Sequence, residues 1–229
     1  MIAYHNDPKL KEALLAEVEK HRLADQIISG TYGDEENGVW RGCAVGCSLR
    51  SLGLITGRVI STSDHAAYER EVGVPEVLAR LQDGIFEGLP LDDKPWWPGQ
   101  FWTAIPVGAD LSMVWPHFAV PLLTDPEHGV IRFTDARCKI AIKHVAALYQ
   151  RWIEGEKPSS DEWARAAARA AAGAVWAAEA AAAAARAAAR AARAAVSVEA
   201  WAAEARARQW QRDTLLRLLA EARVVGESQ

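Results

Sequence analysis

The chain has 229 residues, with 26 Lys and Arg against 30 Asp and Glu and a formal net charge of −4 at pH 7. That balance lacks the strong positive excess of a dedicated nucleic-acid binder. Cys43, Cys47 and Cys138 are odd in number and not densely spaced, so they make no disulfide framework.

Charge and apolar bulk are unevenly spread. Residues up to Pro158 hold 16 Lys and Arg against 22 Asp and Glu, a balance of −6, and the remainder holds 10 against 8, a balance of +2. The larger core-forming side chains lie mostly before Gly155. The expected organisation is a compact body over 1–155 and a helical arm over 156–229. The opening MIAYHNDPKLKEALL is charged and has no apolar stretch of the kind a secretory leader needs. With reduced cysteines, this predicts a soluble cytoplasmic protein with no membrane association.

In chain order, Asp7-Pro8 opens a helix with proline near its first position. Leu10, Leu14, Leu15, Val18, Leu23, Ile27 and Ile28 recur at helical spacing until Gly30. Thr31 to Gly38 reads as a polar loop. Arg41 to Leu49 leads into a buried helix of small residues ending near Gly53, and Asp64 caps a short turn through Tyr68. Pro75 starts another helix, with Val77, Leu78, Leu81, Ile85 and Phe86 on its apolar face.

From Leu89 to Asp125 prolines and tryptophans dominate, and two short helices are expected near Pro98–Ile105 and Asp110–Leu123. A strand pair at Phe118–Leu123 and Val130–Phe133 competes with the second of these. Ala136 to Ile153 is a helix. Gly155 to Pro158 is a linker, and Ser159 to Glu162 has the pattern of a capping box.

The arm opens on an alanine tract. Between Ala164 and Ala195, 23 of 32 residues are alanine. At about 100° per residue, Arg165, Arg169, Trp176, Glu179, Arg186, Arg190 and Arg193 gather on one side. Arg165, Glu179, Arg186 and Arg193 recur at multiples of seven, which predicts left-handed packing of the alanine face against another helix. Ser197 is a candidate cap for a second arm helix, so an antiparallel hairpin is expected, with one continuous rod as the alternative. The charged positions forbid a membrane span. Small-residue surface left over by a hairpin predicts docking on the body or on a second copy, as a homodimer.

Cys43 follows a glycine at a helix start, where the helix dipole favours a thiolate. With His117 as base it is a candidate nucleophile. The competing reading makes Cys43 and Cys47 small core residues. Cys43 and Cys47 share a helix face at i, i+4, and His21 and His65 could complete a zinc set. The spacing matches no compact zinc module, so core cysteines with hydrogen-bonded histidines are the preferred reading and no metal is expected. The arginines at 165, 169, 186, 190 and 193 either grip an acidic surface of a partner, or phosphates, or form a solvated face that keeps the coil soluble. No P-loop, dinucleotide fingerprint, HExxH or GxSxG motif is present, so no cofactor is implied.

Several stretches resemble a family of uncharacterised phage and bacterial proteins. They are His21, Gly30-Thr-Tyr32, the Gly42-Cys-Ala-Val-Gly-Cys47 motif, His65 and Tyr68, Leu81 to Pro90, and Ala104 to Asp110. The resemblance implies a helical body with an alanine-rich tail, a phage-associated setting and no known activity. The tail is also similar to the alanine-rich helices of bacterial immunity proteins. The expectation is an all-α, non-enzymatic binding or accessory protein, with a cysteine hydrolase using Cys43 and His117 as the alternative.

Overall fold

The computed structural model describes residues 1–134, 136–168 and 198–226. The protein is predominantly helical, with a single two-stranded sheet among the described residues. It forms two compact units, Met1–Trp115 with Arg208–Gln229, and Pro116–Ala207. The composition boundary at residue 155 falls inside the second unit.

The first unit begins with a short turn, Ala3–Asn6, whose Tyr4, His5 and Asn6 have φ of 55°, 50° and 60°. The Tyr4 hydroxyl donates to the Trp102 carbonyl at 2.6 Å, which anchors the turn in the core. Helix α1 (Pro8–Leu23) has Asp7 as its N-cap, the carboxylate accepting from Lys9 N. It stops well before Gly30. Asp25 takes φ of 54°, and Ile27 bridges in parallel to Gly42 instead of continuing the helical stripe.

The expected polar loop is a hairpin, β1 (Asp34–Glu36) against β2 (Val39–Arg41), in register Asp34 to Arg41. Asn37 and Gly38 turn it with φ of 53° and 75°, the positive-φ pair a tight type I′ turn requires. Helix α2 (Ala44–Thr56) is buried along most of its length. It runs through Gly53 to a left-handed cap at Gly57. Helices α3 (Ala67–Val72) and α4 (Glu76–Gly88) follow, and α4 buries Leu78, Ala79, Gln82, Ile85 and Phe86.

The tryptophan-rich segment supplies the centre of the core. In α5 (Trp97–Ala104), Trp97, Phe101 and Trp102 are fully buried, while Trp96 just before it is exposed. The buried indole N–H groups are satisfied: Trp97 donates to the Gln82 carbonyl and Trp102 to Ser48 Oγ. The end of the chain completes this unit. Leu215 and Leu219 are fully buried, and Arg212 pairs with Asp93 at 2.9 Å. The amide of Asp110 donates to Arg223, and that of Val225 to Gly108.

Helix α6 (Val114–Thr124) spans the boundary between the units and contains Pro121. The strand alternative is not formed, because Phe118–Leu123 lies within α6 and Val130–Phe133 is a short 3-10 turn. Helix α7 (Ala136–Ile153) has the expected extent. The capping box forms reciprocally, Ser159 N donating to Glu162 Oε2 at 2.9 Å and Glu162 N to Ser159 Oγ at 3.3 Å. It launches α8 over 160–168. Arg151 pairs with Glu162, and Tyr149 and Trp163 are in ring contact at 4.8 Å. Helix α9 (Val198–Ala220) follows, and from Arg208 onward it belongs to the first unit. The remaining alanine tract, the Ser197 cap, and with them the hairpin-or-rod question, lie outside the described residues.

Candidate functional site

The glycine-cysteine motif is where a loop meets the start of a helix. Cys43 is the N-cap of α2, and its sulfur accepts from Gly46 N at 3.4 Å. Its own amide donates to the Thr31 carbonyl at 2.8 Å. A Cβ at position 46 would lie 1.7 Å from Tyr32 O, so only glycine lets the loop sit against the first turn of α2. Cys47, one turn on, is fully buried and its thiol donates to the Gly42 carbonyl at 3.4 Å. The two cysteines therefore part company. Cys47 packs the core, while Cys43 lines a 220 Å³ cavity with Gly30, Thr31, Tyr32, Asp83 and Glu87.

Helix α4 brings two carboxylates to this cavity at i, i+4, the spacing that puts them on one face. Asp83 is the hub. Its Oδ1 lies 3.6 Å from Cys43 Sγ, and its Oδ2 accepts from the Tyr32 hydroxyl at 2.9 Å and lies 3.2 Å from His65 Nε2. His65 Nδ1 is 3.1 Å from the Ser63 carbonyl, and the Tyr32 and His65 rings meet edge to face. Glu87 Oε1 accepts from Gly30 N at 3.2 Å. Buried Lys94 braces the rim, donating to Ser29 Oγ and to the Glu87 carbonyl.

This surrounding sets the state of the thiol. Burial, helped by the Asp83 carboxylate, pushes Cys43 up to about 12, against the opposing pull of the Gly46 amide. Tyr32 is also raised to about 12, chiefly because its hydroxyl donates to Asp83. Burial raises Cys47 as well.

The residues proposed from sequence are distributed as follows. His65 and Cys43 both contact Asp83. His21 faces Gln26 at 2.6 Å and the Trp40 ring; burial holds its pKa down, and among the described residues its Nε2 has no hydrogen-bond partner. The set His21, Cys43, Cys47 and His65 is thus not one ligand group. Among the described residues, the ligating atoms that converge are those of Cys43, Asp83 and Glu87. His117 is on the exposed side of α6, in the second unit. Arg165 is exposed on α8, and Arg169, Arg186, Arg190 and Arg193 lie outside the described residues. Sequence reasoning missed Asp83, Glu87 and Tyr32. The available signal was the pair of acids one helical turn apart on a helix otherwise read only for its apolar face.

A second concavity of the first unit, about 590 Å³, is lined by Val18, Arg22, Trp96, Thr103 and Leu216 among others. The Arg22 guanidinium lies 4.1 Å from the centre of the Trp96 ring, which is 53% exposed. Among the described residues no helix is long and apolar enough to cross a membrane. Comparison with known protein families, curated proteins and solved structures finds no match to this chain.

Proposed function

We propose that this chain is a non-enzymatic binding or accessory protein that acts through a protein partner. The observation that carries this reading is the state of Cys43. Its residue is 1% exposed, and its thiol is pushed up to about 12. Its charged neighbour is a carboxylate, which stabilises the protonated sulfur, where a nucleophile would need an imidazole or another cation to favour the thiolate. The open concavity of about 590 Å³ in the first unit is mainly apolar and edged by an exposed tryptophan, a surface suited to a protein side chain or helix.

The reading extends to a cytoplasmic, phage-associated setting and to a homodimer in solution. The net charge of −4 supports a protein rather than a nucleic-acid partner. Sedimentation velocity checks the dimer.

Alkylation tests the central claim. In chelator-treated native protein, iodoacetamide is expected to modify Cys43 more slowly than the partly exposed Cys138. Cys43 reacting far faster at neutral pH overturns the non-enzymatic reading in favour of a cysteine hydrolase. That alternative draws its support from Cys43 lining a cavity at a helix start.

A further inference from the structure

His21 lies in the last turn of α1 and is 5% exposed, and among the described residues its Nε2 is a buried atom with no hydrogen-bond partner. Its Nδ1 lies 2.6 Å from Gln26 Oε1. A neutral imidazole carries one N–H and a protonated one carries two. Whichever nitrogen holds the proton in the neutral ring, the charged ring has an N–H at Nε2 that meets no acceptor. Leaving a charged donor buried and unpaired is costly.

The groups around the ring do not relieve that cost. Arg50 of α2 opposes a second positive charge, and Glu17, one turn back on α1, is engaged by Lys20. The Trp40 indole, 5.3 Å from the imidazole, already has the Arg50 guanidinium 4.7 Å from its centre. Burial holds the His21 pKa below its ordinary value near 6.5, outweighing the Gln26 contact that raises it.

Trp40 is what fastens the hairpin to the body. It is buried, while every other residue from Asp34 to Arg41 is exposed. A Cβ at Gly33 or Gly42 would stand 2.5 or 2.8 Å from the indole, so both ends of the hairpin close on that ring. The ring in turn rests on His21 of α1 and Arg50 of α2.

We propose that His21 is an acid-sensitive latch for this hairpin: a proton taken from solvent by its ring frees Trp40 and releases β1 and β2 from α1 and α2. In the released form the charged imidazole reaches water, and Trp40 is presented beside the exposed Asp34, Glu35 and Glu36. Because the closed form favours the neutral ring, its advantage is complete above about pH 6.5 and is lost as pH falls from there through the lower, folded-state value. The latch does not depend on the protein-partner reading above.

Amide hydrogen exchange on the full chain from about pH 8 to about pH 5, expressed as protection relative to the free-peptide rate at each pH, reads the opening. The reporter is the Gly42 amide, which donates to the Gln26 carbonyl at 2.9 Å, and the amides of α4 are the reference. Protection at Gly42 is expected to fall several-fold toward the acid end, linkage allowing about tenfold for each pKa unit between the closed and open forms, while α4 keeps its protection. His21→Phe leaves a ring against Trp40 that cannot take a proton, and is expected to keep Gly42 protection constant over the range. In the unaltered protein, NMR is expected to show His21 titrating below 6.5. A His21 midpoint at or above that value overturns the proposal, and so does Gly42 protection that is indifferent to pH. A loss that persists in His21→Phe, or one that α4 shares equally as global unfolding, overturns it as well.

Discussion

Glu162 shows how far one side chain's surroundings move its chemistry. Its carboxylate accepts from Arg151 and from both the amide and hydroxyl of Ser159, and these bonds hold its pKa down at about 2. A depressed carboxylate stabilises the folded form above its unfolded value, near 4.5, and loses that contribution as pH falls toward 2. Carboxyl NMR is therefore expected to show Glu162 titrating near pH 2, and Ser159→Ala to move the midpoint upward. A midpoint near that of an ordinary glutamate would show that the capping box does not hold in solution. Serine and glutamate three apart before a helix made this residue legible from sequence, since capping is a local interaction. Asp83 was not legible in that way. Its partners Tyr32, Cys43 and His65 come from three separate segments, and the packing of α2 and α3 against α4 brings them together.

At the scale of the element, glycine in a helix carries opposite meanings in α2 and α4. Gly46 has the Tyr32 backbone where its Cβ would stand, whereas nothing lies within 4 Å of a Cβ at Gly84. Helix propensity alone favours alanine over glycine by about 1 kcal/mol. Gly84→Ala is accordingly expected to stabilise the protein by up to about 1 kcal/mol. Gly46→Ala is expected to destabilise it, by about 1–3 kcal/mol or more, because rigid backbone cannot yield to the added methyl. Thermal melts of the two variants check this, and equal shifts of the same sign would mean that the loop at Tyr32 does not rest on α2. The same contrast explains which elements the sequence disclosed. Helical periodicity located α4 and α7, and Asp7-Pro8 located the start of α1. The apolar stripe carried the expected α1 too far because Ile27 is buried by a bridge to Gly42, a contact that helical spacing mimics. The hairpin was available in Asn37-Gly38, yet its acidic first strand, exposed at all three positions, gave no alternation to mark it.

For the whole molecule, composition suggests a body followed by an appendage, and the packing of 208–226 does not follow that division. Alanine and arginine content marks out α9 as part of an arm, but a sequence shows only which face of a helix is apolar and not what covers it. The last three turns of α9 complete the first unit, with Leu215 and Leu219 fully buried, Leu216 lining the apolar concavity and Arg212 held by Asp93. Beyond α9, Val224 bridges Ala109 beside the segment that also receives Ala3. Burying one leucine is worth about 1.5–3 kcal/mol, so two of them are a large part of the stability of a domain this size. A chain ending at residue 207 is therefore expected to melt at a markedly lower temperature than the full protein and to expose the tryptophans of α5 to quenchers. In the full chain, Leu219→Ala alone is expected to cost about 2–5 kcal/mol, read by denaturant unfolding. Arg217→Ala, an exposed ion-pair member on the same helix, is expected to cost no more than about 0.5 kcal/mol. If the shortened chain and Leu219→Ala both unfold as the intact protein does, α9 is an appendage after all.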